Sequence, residues 1–220
     1  DAIEVGRTLF GTIRKIIVHL LADDFSELLL FLGAMALYLP LPLLPAQILW
    51  INVIEDGFPG TALAFEGKEH EVMHDPPRDP QEAILNKPFR KFLGAVAIIT
   101  GIAAFGTFTL LWAKLGDLDR VRTIVFALMA VDSLIFAFVV RAIRKPIVRA
   151  DILSNKLLVA AGIFGIALLL LAVYLPALQQ VLATVPISLF DWGVILIVSL
   201  VELAFLEIAK QRCFGRVRAA

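Results

Sequence analysis

Apolar positions in this chain come in runs of about twenty, separated by short polar breaks, rather than in the alternation of a half-buried strand. These runs predict six spans, at about residues 13–39, 43–65, 89–113, 121–143, 157–175 and 188–209. At roughly 1.5 Å of rise per residue, each is long enough to cross about 30 Å of hydrocarbon. Prolines punctuate the pattern: Leu39-Pro40-Leu41-Pro42 closes the first run and Pro176 the fifth. Between the second and third lies a polar loop, Glu66 to Pro88, whose Asp75-Pro76-Pro77-Arg78-Asp79-Pro80 excludes a regular helix. The predicted fold class is all-α, a six-helix transmembrane bundle.

Composition agrees. The 220 residues are 60% hydrophobic, against roughly 45–50% in soluble domains, and leave no room for a large soluble domain. The formal net charge is zero, which gives no basis for nucleic-acid binding. A single cysteine, Cys213, excludes an internal disulfide. The opening Asp1-Ala-Ile-Glu shows no signal-peptide pattern and reads as the interior of a longer protein.

Basic residues divide the breaks into two sets. Arg7, Arg14, Lys15, then Lys68, Arg78, Lys87, Arg90, Lys91, then Arg141, Arg144, Lys145, Arg149, Lys156, and finally Lys210, Arg212, Arg216 and Arg218 fall on one side. Only Lys114, Arg120 and Arg122 fall on the other. That bias predicts a multi-pass protein with both termini and both polar loops in the cytoplasm; the expected location is the plasma (inner) membrane.

Charged groups inside the apolar runs carry the chemistry. In span one, Asp23, Asp24 and Glu27 have helical spacing, so Glu27 meets both acids on one face. In span two, Asn52 is followed by Glu55 and Asp56, and then by Gly57 and Pro59. A carboxylate at bilayer depth costs several kcal/mol and marks a functional site. Pro59 cannot donate a backbone hydrogen and its ring crowds the Glu55 carbonyl, so span two is expected to unwind near Gly57 and Pro59. Carboxylates, an amide and freed carbonyls together are the ligands hard cations prefer. The pattern predicts that spans one and two converge on a cation. The plainer alternative is a hydrogen-bonded polar network, or, for Asp23, an acid reaching water at the cytoplasmic edge. In span three, Gly94, Gly101 and Gly106 offer either close helix approach or ordinary membrane-helix glycines.

Gln47-Ile-Leu-Trp-Ile-Asn-Val-Ile-Glu-Asp-Gly-Phe-Pro59 resembles the sixth membrane helix of P-type cation ATPases, Ca²⁺ pumps above all, with the pattern Q-[IL]-L-W-[IV]-N-x-x-x-D-G-x-P. Gly6-Arg7-Thr8 and Ile13-Arg14-Lys15 look like the stalk into helix five, and Met73-His74-Asp75-Pro76-Pro77-Arg78 like the loop between helices six and seven. Arg122-Thr123 looks like the start of helix eight. Ser154-Asn155-Lys156, Tyr174-Leu175-Pro176, Thr184-Val185-Pro186 and Asp191-Trp192 look like the last two helices.

The resemblance implies that residues 1–12 end a cytoplasmic stalk and 13–220 form the carboxyl-terminal membrane domain, helices five to ten. Its partners would be the lipid bilayer and the rest of the pump: phosphorylation, nucleotide and actuator domains and helices one to four. ATP and Mg²⁺ would act only through those domains, and this part alone would hold no catalytic residue and hydrolyse no ATP. Glu27 matches the helix-five Glu, and Asn52 and Asp56 the helix-six Asn and Asp. Asp24 stands where sarcoplasmic-type pumps carry Asn, and Glu55 where they carry Thr. Their helix-eight Glu has no acidic counterpart in Val139-Val140-Arg141-Ala142-Ile143. The implied cation-binding set is Asp24, Glu27, Asn52, Glu55 and Asp56, with Ca²⁺ the favoured ion and Asp132 a relay or a structural acid bonded to a neighbouring helix. The missing helix-eight acid argues against a full two-Ca²⁺ arrangement. Glu202 is expected at the interface or paired with Lys210, and Arg141 is expected to snorkel.

Other classes remain open. A stand-alone cation channel or proton/cation exchanger would use the same acids. His70-Glu71-Val72-Met73-His74 fits the H-E-x-x-H zinc-protease pattern, which needs a helix and a third ligand.

Overall fold

The computed structural model describes residues 2–66, 82–143 and 145–215, and their regular structure is entirely helical. The proline cluster of the first polar loop and the H-E-x-x-H motif lie outside the described residues.

Helix α1 runs unbroken from Ala2 to Ala36, so the expected stalk and first span are one 35-residue rod. At about 1.5 Å per residue it is some 50 Å long, well beyond the hydrocarbon thickness. A second rod follows the Pro40–Pro42 turn. It is α2 (Pro45–Trp50), a π-helical segment (Ile51–Asp56) and α3 (Gly57–Ala64) in continuous succession. Then come α4 (Lys87–Leu115), α5 (Leu118–Arg141), α6 (Lys156–Tyr174), the short α7 (Pro176–Leu182) and α8 (Leu189–Phe214).

Sequence explains these limits. The side chains of Asn86, Asp117, Asn155 and Ser188 each accept a backbone hydrogen bond at the starts of α4, α5, α6 and α8, satisfying N–H groups the first helical turn leaves free. Gly116 ends α4 at φ 65°, a left-handed conformation that glycine adopts without strain.

Among the described residues, α4, α5, α6 and α8 are long and apolar enough to cross a membrane. They coincide with four of the six expected spans. The remaining two fall in α1, which carries acids in its apolar stretch, and in the composite second rod, whose pieces are individually short.

Helix α5 is the axis of the molecule: every residue from Thr123 to Ala130 is buried. By contrast, α6 exposes Ile163, Phe164, Ile166, Leu170 and Leu171, the apolar exterior of a helix facing lipid. Helix α1 packs on α4 at two glycines. A Cβ on Gly101 would lie 2.8 Å from the Leu29 Cβ, and one on Gly33 would lie 2.9 Å from the Phe105 ring. Gly101 therefore is a close-approach position, whereas Gly94 and Gly106 have open space where a Cβ would go.

The second rod departs from expectation at its irregularity. It does not unwind at Gly57 and Pro59, which sit inside α3. The backbone instead widens into a π turn just before them, a form found mostly as single turns within α-helices and frequently at functional sites. Pro59 has no N–H to offer the Glu55 carbonyl. That carbonyl lies 3.3 Å from the Ser133 hydroxyl of α5 instead, so the freed acceptor meets a neighbouring helix rather than opening the chain.

Polar contacts lock both ends. Arg120 at the start of α5 grips Asp191 at the start of α8 at 2.9–3.2 Å. Trp192 Nε1 donates to the Tyr174 hydroxyl, which donates to the Ile187 carbonyl. At the opposite end Arg141 reaches Glu66 at 2.8 and 2.9 Å and Asn155 donates to the same carboxylate at 2.8 Å. Arg141 thus turns inward to a carboxylate instead of snorkelling. Burial alone would raise the Glu66 pKa, but the hydrogen bonds from Arg141 and Asn155 and the Arg141 charge hold it below its ordinary value.

Candidate functional site

Three elements bring acids to one depth of the bundle: α1, the π segment and α5. Residues three and four apart share a helix face, so His19, Asp23, Ser26 and Glu27 line the buried side of α1. Asp24, one residue out of that register, is exposed. The expected cluster of three α1 acids is therefore two buried acids and one outside them.

On the π segment, Asp56 is 1% exposed. One carboxylate oxygen accepts from Ser133 on α5, and the other, buried, has no hydrogen-bond partner. Glu27, on α1, sits within electrostatic reach of Asp56 and beside the Asn52 amide, and one of its oxygens is likewise buried and unpartnered. Asn52 is half-buried and its amide donates to the Ile48 carbonyl at 3.0 Å, which fixes its orientation. Glu27, Asn52 and Asp56 thus share one region between α1 and the second rod.

Glu55 points elsewhere. It is fully buried with both oxygens unpartnered, and a Cβ on Gly165 would fall 2.5 Å from its Oε2. Its carboxylate therefore lies against α6, at a position only glycine leaves open, rather than toward α1.

Asp132 and Glu202 form a second polar cluster between α5 and α8. Ser199 donates to Asp132, and Glu202 is 3% exposed with both oxygens unpartnered. The expected Glu202–Lys210 pair does not form: Lys210 bonds Glu207, one turn from it on α8. Asp132 lies within electrostatic reach of both Glu202 and Asp23, so the two polar clusters adjoin.

His19 is the residue that sequence reasoning passed over. One atom each from His19, Asp23 and Asp56 lie within 4.8 Å of one another, all from buried residues. The signal was present in the sequence: His19, Asp23 and Glu27 form a continuous i, i+4, i+8 stripe.

What this arrangement can do follows from charge. Several carboxylates in a low dielectric repel one another unless protons or a cation neutralise them. Their orphaned oxygens are lone pairs aimed inward, and buried polar atoms of this kind ordinarily find partners. The donor set fits a divalent cation.

Comparison with known proteins agrees with this chemistry. A family model described as "Cation transporting ATPase, C-terminus" matches residues 40–212. The calcium-transporting ATPase of Bacillus subtilis (strain 168) is 34% identical over 197 residues, 89% of this chain and 22% of that protein. Calcium-transporting ATPase 1 of Bacillus cereus is 29% identical over 224 residues, covering 95% of this chain and 25% of that protein. The mouse calcium-transporting ATPase type 2C member 1 is 30% identical over 194 residues, 87% of this chain and 21% of that protein. The chain thus spans about a fifth to a quarter of the length of these relatives.

Proposed function

The chain belongs to the cation-transporting ATPases, as their carboxyl-terminal membrane domain, and on that premise we propose that it supplies the ion-translocating site of an ATP-driven Ca²⁺ pump. The observation that carries the proposal is the pair Glu27 and Asp56, buried on facing elements beside Asn52, each with one carboxylate oxygen that has no hydrogen-bond partner. Names of relatives support Ca²⁺ as the ion. Glu27, Asn52 and Asp56 are the central ligands. Glu55 reaches the ion only by turning away from α6, and Asp24 only by turning in from the surface; both belong to a second conformation of the cycle. Asp132 relays protons between the two acid clusters.

Six crossings complete the topology, α1 and the composite rod joining the four apolar helices, with both termini in the cytoplasm of the plasma membrane. Residues 1–12 end the stalk and 13–220 form the membrane domain. Phosphorylation, nucleotide and actuator domains and four further helices are its partners in the whole pump, and ATP and Mg²⁺ act there. Movement of the stalk then shifts α1 against the second rod and exposes the acids alternately to the two sides.

The test is Ca²⁺-dependent phosphorylation of the full-length pump. A unit charge about 4 Å away is worth about 4 kcal/mol even at an effective dielectric of about 20. Glu27→Gln and Asp56→Asn should therefore each raise the Ca²⁺ needed by about tenfold or more, about 1.4 kcal/mol being one factor of ten. Wild-type Ca²⁺ dependence in both variants would refute the assignment.

A further inference from the structure

We propose that His19, Asp23 and Asp56 form a mixed nitrogen–oxygen site for a divalent first-row transition-metal ion, sharing Asp56 with the Ca²⁺ site; this rests on the reading of the chain as a cation-pump membrane domain.

The geometry is specific. The three residues present ligand atoms within 4.8 Å of one another. Metal bonds of about 2.0–2.2 Å in a tetrahedral shell set ligand atoms about 3.3–3.6 Å apart. His19 Nδ1 and the Asp23 oxygen, 3.2 Å apart, already have that spacing, and side-chain rotation has to draw Asp56 in by at most about an ångström. His19 is fully buried, and neither ring nitrogen makes a hydrogen bond. Its Nδ1 stands 3.2 Å from an Asp23 oxygen, yet neither atom completes a hydrogen bond with the other. Side-chain nitrogen and oxygen atoms that converge in a buried place without a completed hydrogen bond are what a metal between them would require.

Neighbouring groups hold the ligands in place. The Ser133 hydroxyl engages one oxygen of Asp56 and leaves the other for the site. The Phe136 ring packs 5.6 Å, centroid to centroid, from the imidazole. Such outer contacts orient ligands and tune affinity.

Charge favours a divalent ion: a neutral imidazole and two carboxylates around M²⁺ sum to zero, which removes the cost of two uncompensated buried charges. Ligand type favours a transition metal. Ca²⁺ takes six to eight oxygens at about 2.3–2.6 Å, whereas imidazole with carboxylate suits Mn²⁺, Fe²⁺, Co²⁺ and Zn²⁺. Because Asp56 serves both sets, Ca²⁺ and the transition metal compete for the same protein.

The experiment uses Mn²⁺ as probe, on the full-length pump purified in detergent and stripped with chelator. Pulsed electron paramagnetic resonance of bound Mn²⁺ should show coupling to an imidazole ¹⁴N, converted to the ¹⁵N pattern when the pump is made with ¹⁵N-histidine. His19→Gln should abolish the coupling, Asp23→Asn should weaken Mn²⁺ binding by about tenfold or more, and excess Ca²⁺ should displace the signal. The wild-type spectra need no variant to fold, so bound Mn²⁺ without nitrogen coupling, or no bound Mn²⁺, overturns the proposal outright. Coupling that survives in folded His19→Gln overturns it too. The phosphorylation test reads Glu27, which is outside this set. A pump whose Ca²⁺ dependence needs Glu27 but whose Mn²⁺ shows no nitrogen keeps the proposed function and loses only this inference.

Discussion

Ser133 connects the most sensitive residue of the site to its support. Its hydroxyl sits between the Glu55 carbonyl, freed by Pro59, and the Asp56 carboxylate. Ser133→Ala should leave the fold standing but weaken Ca²⁺ activation by about tenfold, the usual scale for losing a group that orients a ligand; a titration of Ca²⁺-dependent phosphorylation reads it, and an unchanged midpoint would remove Ser133 from the site. Glu66 shows the same economy at the far end of the bundle. Its folded pKa is held below the ordinary 4.5 by Arg141 and Asn155. A depressed carboxylate contributes stability that is complete above the unfolded value and is lost as pH falls through the folded one. Glu66→Gln should therefore destabilise the full-length pump near neutrality by about 2 kcal/mol, the scale of a charged hydrogen bond, and the difference from wild type should shrink below about pH 4.5. Thermal unfolding in detergent across that range measures both, and an equal gap at every pH would contradict the pairing.

At the scale of elements, the apolar runs predicted four membrane helices to within a few residues of their ends, because length and apolarity alone decide such spans. Asp24 and Glu55 stand apart from the group of Glu27, Asn52 and Asp56, which spacing alone does not foretell. Spacing shows which residues share a face, but not which face meets the neighbour, and the π turn rotates Glu55 toward α6. Gly57 and Pro59 announced an irregularity in the second rod. The structure places it as a π turn before them, with the Glu55 carbonyl 3.3 Å from the Ser133 hydroxyl of α5, a residue distant in sequence. The three glycines of α4 looked alike in sequence, and only packing separates them. Gly101→Ala should push α1 from α4, since its Cβ would stand 2.8 Å from the Leu29 Cβ and 3.2 Å from the Ser26 carbonyl. The expected cost is about 1–3 kcal/mol of overpacking. Gly106→Ala meets nothing within 4 Å and should be neutral or slightly stabilising, alanine being the better helix former. Unfolding midpoints of the two variants compare them directly, and equal midpoints would dismiss the α1–α4 contact.

Viewed whole, the molecule is a buried axis, α5, with acid clusters on two of its sides: His19, Asp23, Glu27 and Asp56 toward α1 and the second rod, Glu202 toward α8. Positions of the basic residues predict how it sits in the membrane. Single cysteines replacing Lys114 and Val148 should label from opposite sides of sealed vesicles with an impermeant reagent, Val148 from the cytoplasm; labelling from the same side would overturn the topology. The central claim is that the buried carboxylates hold the transported ion. Equilibrium binding of radiolabelled Ca²⁺ to the full-length pump, without ATP, reads that claim with no turnover between site and signal. The account predicts saturable binding to wild type and, for folded Asp56→Asn, an affinity lower by about tenfold or more. Ca²⁺ binding of wild-type affinity in that variant would contradict it.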